Sequence, residues 1–498
     1  MINYVLKNGE LTSWWRQKRE QSVDVVVVLL LFTMATFFVF TNSDSTSPLF
    51  STRTLDSNIF QYMGYAITQG KVPYTDFFDH KGLLLYLFNA LGVLISKKYG
   101  VLLLQIIYLT LVLGVWYKGL VMVRSVAMKL CIIAISLVSL YHCYSYGNLT
   151  EDWSLLFISI PLMLYLRKLG GDGVRHFNNL ELLSIGLCIG CIMMIRLNNF
   201  FPMMGVPLFC AFIALKDGEY AYLPKALLLV IVGCIIPLLA CVFIMYIIGG
   251  MQGVDDMIFA NLTFNLSYNE DHTVPYDMEF VKFIYKVLLP LPFLIFASYK
   301  RSRYTLPLII GYILTILTIG KVHHFHYLIV FLPLIAYGIG VVPGKWRIAL
   351  MGVIFLFNVK TFYNQFSIDH FQLHKEDTTE KLADLLSAIP LEDRNKVWSY
   401  NGAFILKEYI GCDLIPCNRL FLPWQTKISE ELRQSEENKI CRVRPKYVIY
   451  PVYVEEWMNN SAIYSGREVD ERFIKDNYNT ISTVTFDDGI KVYCYKLR

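Results

Sequence analysis

The chain has 498 residues, of which 55% are hydrophobic, 15% aromatic and 17% charged, and its mean hydropathy is +0.45. A soluble protein carries about a quarter charged residues, so the composition excludes a soluble globular chain, and repeated apolar runs of roughly 15–25 residues bounded by charge indicate a polytopic helical membrane protein. The net charge of +5 is small, and no nucleic-acid partner is expected.

Lys7, Arg16, Lys18 and Arg19 precede the first apolar run, with Trp14 and Trp15 as interfacial anchors. The positive-inside rule puts this end in the cytoplasm. Val23–Phe40 is too long for a cleavable signal and lacks a small-residue cleavage site, so it reads as a retained first span. It delivers the stretch Leu55–Gly82 to the outside. There Asp56 sits where a helix N-cap would, and Ile59, Met63, Ala66 and Ile67 recur at helical spacing. Gly70 is the expected C′ residue. Ser57–Gln69 therefore predicts an amphipathic helix on the outer interface. After a turn, Gly82–Ser96 reaches only about 22 Å at ~1.5 Å per residue, short of the ~30 Å hydrocarbon core. It is expected to be a second, half-inserted helix on the same side.

Further spans are expected at Val101–Val123, Leu130–Tyr146, Trp153–Leu166, Leu182–Ile195, Phe200–Leu215, Leu223–Ile248, Phe283–Ser298, Tyr304–Ile319, Tyr327–Val341 and Ile348–Tyr363. That makes about eleven spans, with the N-terminus inside and the C-terminus outside. Short inner loops are rich in Lys and Arg, and the outer loops hold most of the loop carboxylates. Residues 1–364 thus form a membrane domain with a first outer loop at 42–99, and residues 365–498 a small extracytoplasmic α/β domain. In that tail Asp369–Asp393 is helical in pattern, and Val397–Tyr400, Tyr447–Tyr450 and Ile490–Tyr495 predict strands. Asp487-Asp-Gly489 is a hairpin signal. Outside the cell Cys412 could pair with Cys417, and Cys441 with Cys494, although spacing does not fix connectivity. The other cysteines are scattered in apolar helices as small hydrophobes.

Several polar clusters fall on the outer face. The first is Asp56, Asp76, Asp79, His80 and Lys81; the second is Glu151-Asp152, between the third and fourth spans. The third is the His323/His324/His326 loop, and Arg196 lies at an outer helix end beside them. Each has a bland reading: Asp56 as a cap, Glu151 and Asp152 as favourable charges at a helix start, loop histidines as solvated groups. Their coincidence on one side of one membrane domain favours function.

The Asp56 that opens the first-loop helix, followed by G-x-x-P-Y-x-D-x-x-D-H-K-G over residues 70–82, resembles the GT-C superfamily of polyprenyl-phosphate-sugar-dependent glycosyltransferases. That superfamily includes the aminoarabinose transferases, the protein O-mannosyltransferases and many bacterial cell-surface polysaccharide enzymes. Many members have K-G-P or K-P-P where this chain has Lys81-Gly82-Leu83. The resemblance covers roughly the first 200 residues, and extends more loosely through H-H-F-H-Y-L-I-V-F-L-P to the tail.

The resemblance implies a bacterial plasma (inner) membrane enzyme that takes a sugar from a polyprenyl-phosphate donor in the membrane. The acceptor would be a glycan, lipid or protein. In an inverting displacement one carboxylate takes the acceptor proton, and Asp56 is the choice. The leaving phosphate needs cations, and Lys81, with His80 or Arg196, is chosen to hold it. Asp76, Asp79, Glu151, Asp152 and His324 are the candidates for orienting substrate. No cofactor is certain; a divalent cation on Asp56, Glu151 and Asp152 stays open. The competing reading is a transporter or flippase for a lipid-linked saccharide, which would place ionisable groups in mid-membrane and show internal repeats. Neither is seen. A membrane scaffold with a soluble receptor domain would leave the first-loop cluster without a purpose.

Overall fold

The structure is a computed structural model that describes residues 24–43, 45–49, 55–144, 147–170, 176–268, 284, 287–319, 325–365, 378–399, 402–419, 442–453 and 471–498. It is mainly helical, with one small sheet near the C-terminus.

The helices follow the apolar runs. Helix α1 (Asp24–Asn42) is the first span. Helices α2 (Leu55–Thr68) and α3 (Leu83–Ile95) form the first-loop pair, followed by α4 (Gly100–Gly119), α5 (Val126–Ser139), α6 (Thr150–Gly170) and α7 (Asn179–Met193). Helix α7 opens on a capping box in which Asn178 and Glu181 satisfy each other's backbone N–H. Next come a 3₁₀ turn (Leu197–Met203) and α8 (Gly205–Lys216), bent by 51°. Pro202 lies in that turn, and Gly205 packs so close to the Pro307 carbonyl that a Cβ would lie 1.8 Å from its oxygen. Helix α9 (Tyr222–Ile258) breaks at Gly250, whose φ is 61°, close to the expected end of that span at Ile248. A π-turn (Phe259–Phe264) and α10 (Asn265–Tyr268) follow. The helix Pro290–Ile319 contains a non-helical residue at Arg301, between the two spans expected there. The remaining apolar helices are Leu332–Val341 and Gly344–Gln365.

Among the described residues three helices are long and apolar enough to cross a membrane, or four if the bent pair counts as one span. That measure leaves out α5, α7 and the Phe325–Val341 segment, apolar helices that fall among the eleven expected spans but are shorter, and α3, which is short as expected of a half-inserted helix.

The expected amphipathic helix is present, but its surroundings differ from the expectation. Residues 57–66 of α2 are all buried, and Asp56 lies inside the first turn rather than at the cap. One face meets α3 closely: a Cβ on Gly64 would lie 2.5 Å from the Ala90 nitrogen. The other face is covered by the C-terminal region. Ile59, Tyr62 and Tyr65 share one hydrophobic core with Leu382, Ile405 and Tyr409, so α2 is enclosed by protein rather than laid on an interface.

The C-terminal sheet has order β1-β2-β4-β3, built from β1 (Val397–Ser399), β2 (Tyr447–Val452), β3 (Tyr478–Thr485) and β4 (Lys491–Leu497). β1 and β2 are parallel, and the other pairs are antiparallel. Three of the four strands match the expected runs. The expected Asp487–Gly489 hairpin joins β3 to β4, with Gly489 at φ 84°. The helix Thr378–Ser387 falls within the expected helical stretch, whose start at Asp369 lies outside the described residues. Cys412 and Cys417, which could pair, are not bonded to each other, and the buried Cys412 Sγ donates to the Thr379 carbonyl at 3.3 Å. Cys494 is also free, buried in β4, and Cys441 lies outside the described residues.

Candidate active site

The loop between α2 and α3 is closed by its own polar groups. Gly70, at φ 79°, ends α2 as expected. Tyr74 is fully buried with φ 64°, an unusual backbone for a bulky residue. Its hydroxyl donates to the Lys81 carbonyl at 2.8 Å, joining the two ends of the segment. Asp76 is exposed, and its carboxylate accepts from the Val72 N–H at 2.8 Å. It supports the turn and is not brought into the cluster described next.

Asp79, His80 and Lys81 form a chain of contacts. The hydroxyl of Tyr86, one turn into α3, donates to Asp79 Oδ2 at 2.8 Å and accepts from the Lys81 N–H at 3.2 Å. Asp79 Oδ1 lies 3.2 Å from His80 Nδ1, and His80 Nε2 lies 2.5 Å from Lys81 Nζ. Both ring nitrogens thus face partners inside the cluster, and the His80 carbonyl accepts from Asn265 at 2.9 Å. Burial alone would raise the Asp79 carboxyl, but hydrogen bonds from His80 and Tyr86 and the Lys81 charge outweigh it and hold the group well below the usual carboxylate range. Burial, helped by the Lys81 charge, lowers His80, so the imidazole is neutral: Nδ1–H donates to Asp79, and Nε2 accepts from the ammonium. Burial also lowers Lys81, partly offset by Asp79.

The backbone then joins this loop to the second cluster. Gly82 N–H donates to the Ile195 carbonyl at 3.1 Å and Leu84 N–H to the Met194 carbonyl at 2.9 Å. A Cβ on Gly82 would lie 2.1 Å from the Met194 carbonyl carbon, so this approach requires glycine. The zipper places Lys81 beside Arg196. Arg196 Nη1 lies 2.5 Å from Glu151 Oε1, and the guanidinium stacks 3.9 Å from the Tyr327 ring centroid. Glu151 is buried at the start of α6, its other oxygen accepting from Thr150 at 2.9 Å. Asp152 is also buried and accepts from the Leu149 N–H at 3.0 Å, half of a capping arrangement.

Asp56 is half-buried, and its charge acts on Lys81, Arg196 and Tyr327. A buried polar network fixes it there. Asn148 donates to Ser57 Oγ at 3.0 Å and to Asn89 Oδ1 at 2.8 Å, and accepts from the Trp153 indole at 2.8 Å. This ties the first turns of α2 and α6 together, and with them Asp56 and Glu151. Gly147 and Asn148 both have positive φ, 57° and 55°, which admits the turn. A Cβ on Gly147 would lie 1.9 Å from Ser43 Oγ.

The fold thus gathers Asp56, Asp79, His80, Lys81, Glu151 and Arg196. His324 and His323 lie outside the described residues; His326 packs edge-on against Tyr327. Sequence reading missed Tyr74, Tyr86, Asn265 and Tyr327. Tyr86 is three residues into an apolar helix and reads as core, and Tyr327 reads as the start of a span. Among the described residues no group of three or more His, Cys, Asp or Glu is arranged to hold a metal ion. Within the donor set left open for one, the Glu151 oxygens accept from Arg196 and Thr150, and Asp152 Oδ2 accepts from a backbone N–H.

Comparison with known proteins adds the architecture. No family model and no curated protein matches the chain. The structure of ArnT from Cupriavidus metallidurans bound to undecaprenyl phosphate is similar, with a TM-score of 0.61 at 10% identity, covering 95% of this chain and 98% of that one. Archaeal oligosaccharyltransferase AglB from Archaeoglobus fulgidus, in complex with an inhibitory peptide and a dolichol-phosphate, gives 0.50 at 12% identity, over 95% of this chain and 74% of that one. At such identities the likeness is one of fold, and it extends well beyond the first-loop motif: the chain shares the fold of the ArnT structure over nearly its whole length.

Proposed function

We propose that the protein is an inverting glycosyltransferase that moves a sugar from a polyprenyl-phosphate donor to an acceptor hydroxyl on the outer face of the membrane. The observation that carries this is the convergence of two cations, Lys81 and Arg196, beside the half-buried carboxylate Asp56. Two structures of the same fold hold an isoprenoid phosphate, undecaprenyl in one and dolichol in the other. A membrane setting fits the apolar helices, and the extracytoplasmic placement of the loop and of the sheet region (365–498) follows from the charge asymmetry of the loops.

In this reading the acceptor oxygen attacks the anomeric carbon as Asp56 takes its proton, and the bond from that carbon to the phosphate oxygen breaks with its electron pair on the phosphate. The product lipid phosphate gains negative charge, so it needs cations rather than an acid. Lys81 and Arg196 supply them. Glu151 holds Arg196, and Asp79 with His80 holds Lys81, so these three act on the cations rather than on the sugar. Asp152 caps α6, and Asp76 supports its turn.

The test is turnover of a labelled polyprenyl-phosphate sugar by the purified protein with cell-envelope acceptor, read as release of lipid phosphate. Asp56→Asn should abolish release while retaining donor binding. Normal turnover in that variant removes Asp56 as base. Passage of labelled lipid-saccharide across vesicles with no bond cleavage would establish the transporter instead.

A further inference from the structure

We propose that the C-terminal sheet region positions the donor-phosphate lysine through Arg419, a residue outside every cluster considered so far. The proposal rests on the reading of Lys81 as the phosphate-binding group.

Arg419 is fixed at its base to the edge of the sheet. Asn418 pairs with Ser399 of β1 in both directions, accepting from its N–H and donating to its carbonyl, each at 2.9 Å. The neighbouring Cys417 N–H donates to the Val397 carbonyl at 2.7 Å. Asn418 therefore imitates a further strand residue, and the chain leaves β1 in a set direction. From there the Arg419 guanidinium crosses to the first loop, donates to the Tyr74 carbonyl, and lies 5.2 Å from the Phe78 ring centroid.

Tyr74 is the residue of the loop whose backbone most needs such support. Its φ of 64° is unfavourable for an aromatic residue, and a hydrogen bond to its carbonyl from outside fixes the orientation of that peptide. The same residue ends in the hydroxyl that donates to the Lys81 carbonyl. Two hydrogen bonds thus lead from the sheet to the lysine: Arg419 to the Tyr74 carbonyl, and the Tyr74 hydroxyl to the Lys81 carbonyl. The ammonium has little freedom of its own, since it meets His80 on one side and the Gly82–Met194 approach follows it in the chain. A small movement of Tyr74 is therefore passed to the cation.

A role limited to docking the sheet region is the competing account, and the interface contains a contact that separates the two. The Tyr65 hydroxyl donates to Asp413 at 2.8 Å, and Lys97 pairs with the same carboxylate. This contact joins α2 and the end of α3 to the sheet region without involving Tyr74 or Lys81.

The experiment measures binding of a fluorescent short-chain isoprenyl phosphate to the full chain in detergent, with thermal midpoints recorded alongside. Arg419→Ala and Tyr74→Phe should each weaken binding about 5- to 50-fold, with kcat at saturating donor reduced far less. The double variant should bind no more weakly than the weaker single one, because both break the same path. Tyr65→Phe should lower the thermal midpoint and leave binding within twofold. Tyr74→Phe keeps the buried ring and serves if Arg419→Ala does not fold. Unchanged binding in Tyr74→Phe, additive losses in the double variant, or an equal loss in Tyr65→Phe would each overturn the proposal. Lys81→Ala keeps the two readings apart. If it binds the phosphate normally, the assignment of Lys81 has failed; if it loses binding while Arg419→Ala does not, only the positioning by Arg419 has failed.

Discussion

Replacing Lys81 with methionine removes the ammonium and keeps the length of its stem, and two effects follow. Charge-assisted hydrogen bonds are worth about 1.5–3 kcal/mol, so affinity for an isoprenyl phosphate should fall roughly 10- to 150-fold. Stability should stay nearly level. Burial lowers the pKa of Lys81 in the folded protein, so at neutral pH the fold carries a cost for keeping the group charged. That cost is present below the folded pKa and disappears as pH rises past the unfolded value near 10.4. Against this stand one lost hydrogen bond to His80, about 1 kcal/mol, and the loss of the Lys81 charge that helps to hold the buried Asp79 ionised, although Asp79 keeps its contacts with His80 and Tyr86. The variant is expected to melt near the wild-type temperature at pH 7 while failing to bind donor. Fluorescent-lipid titration and thermal melts on the same preparation test it. A melt lowered by several degrees would make Lys81 a structural residue, and retained affinity would remove its phosphate role.

Asp56→Asn should lower kcat by about 10²–10⁴ with donor affinity within a few-fold, as expected when a general base alone is lost; single-turnover and binding measurements separate the two. Glu151→Ala leaves the Arg196 guanidinium without its carboxylate and should destabilise by about 3–5 kcal/mol, whereas Glu151→Gln keeps an acceptor and should cost less, a difference readable in thermal melts. Gly82→Ala forces a Cβ into the Met194 carbonyl and should cost about 1–3 kcal/mol by overpacking. It should also weaken phosphate binding by parting Lys81 from Arg196. Normal binding in that variant would show that the zipper does not set the cation pair.

Much of this was legible in the sequence because it is local. The 3.6-residue recurrence of Ile59, Met63 and Ala66 marks α2, Gly70 marks its end, and the Asp487-Asp-Gly489 turn marks the β3–β4 hairpin. What was not legible is what long-range packing decides. Periodicity gave α2 one apolar face, yet Tyr62 and Tyr65 on its other side are buried by a region some 340 residues later in the chain. Asp76 and Asp79 look alike in the motif, and only the placement of Tyr86 separates a solvent-facing turn residue from a buried partner of His80. The pairing of Glu151 with Arg196 links residues 45 apart, which spacing alone does not signal. Tyr74 carries both ends of its connection through backbone carbonyls, and no side-chain pattern announces such a contact.

The common core of α2 and the C-terminal region has a consequence for how the molecule can be divided. Ile59, Tyr62, Leu382, Ile405 and Tyr409 belong to one cluster, so a chain cut after Gln365 would leave the α2 side of that cluster open to water beside the site. The membrane helices and the sheet region are therefore not separable modules. Grafting the tail of another protein onto this scaffold would succeed only if the graft reproduced the surface that seals α2.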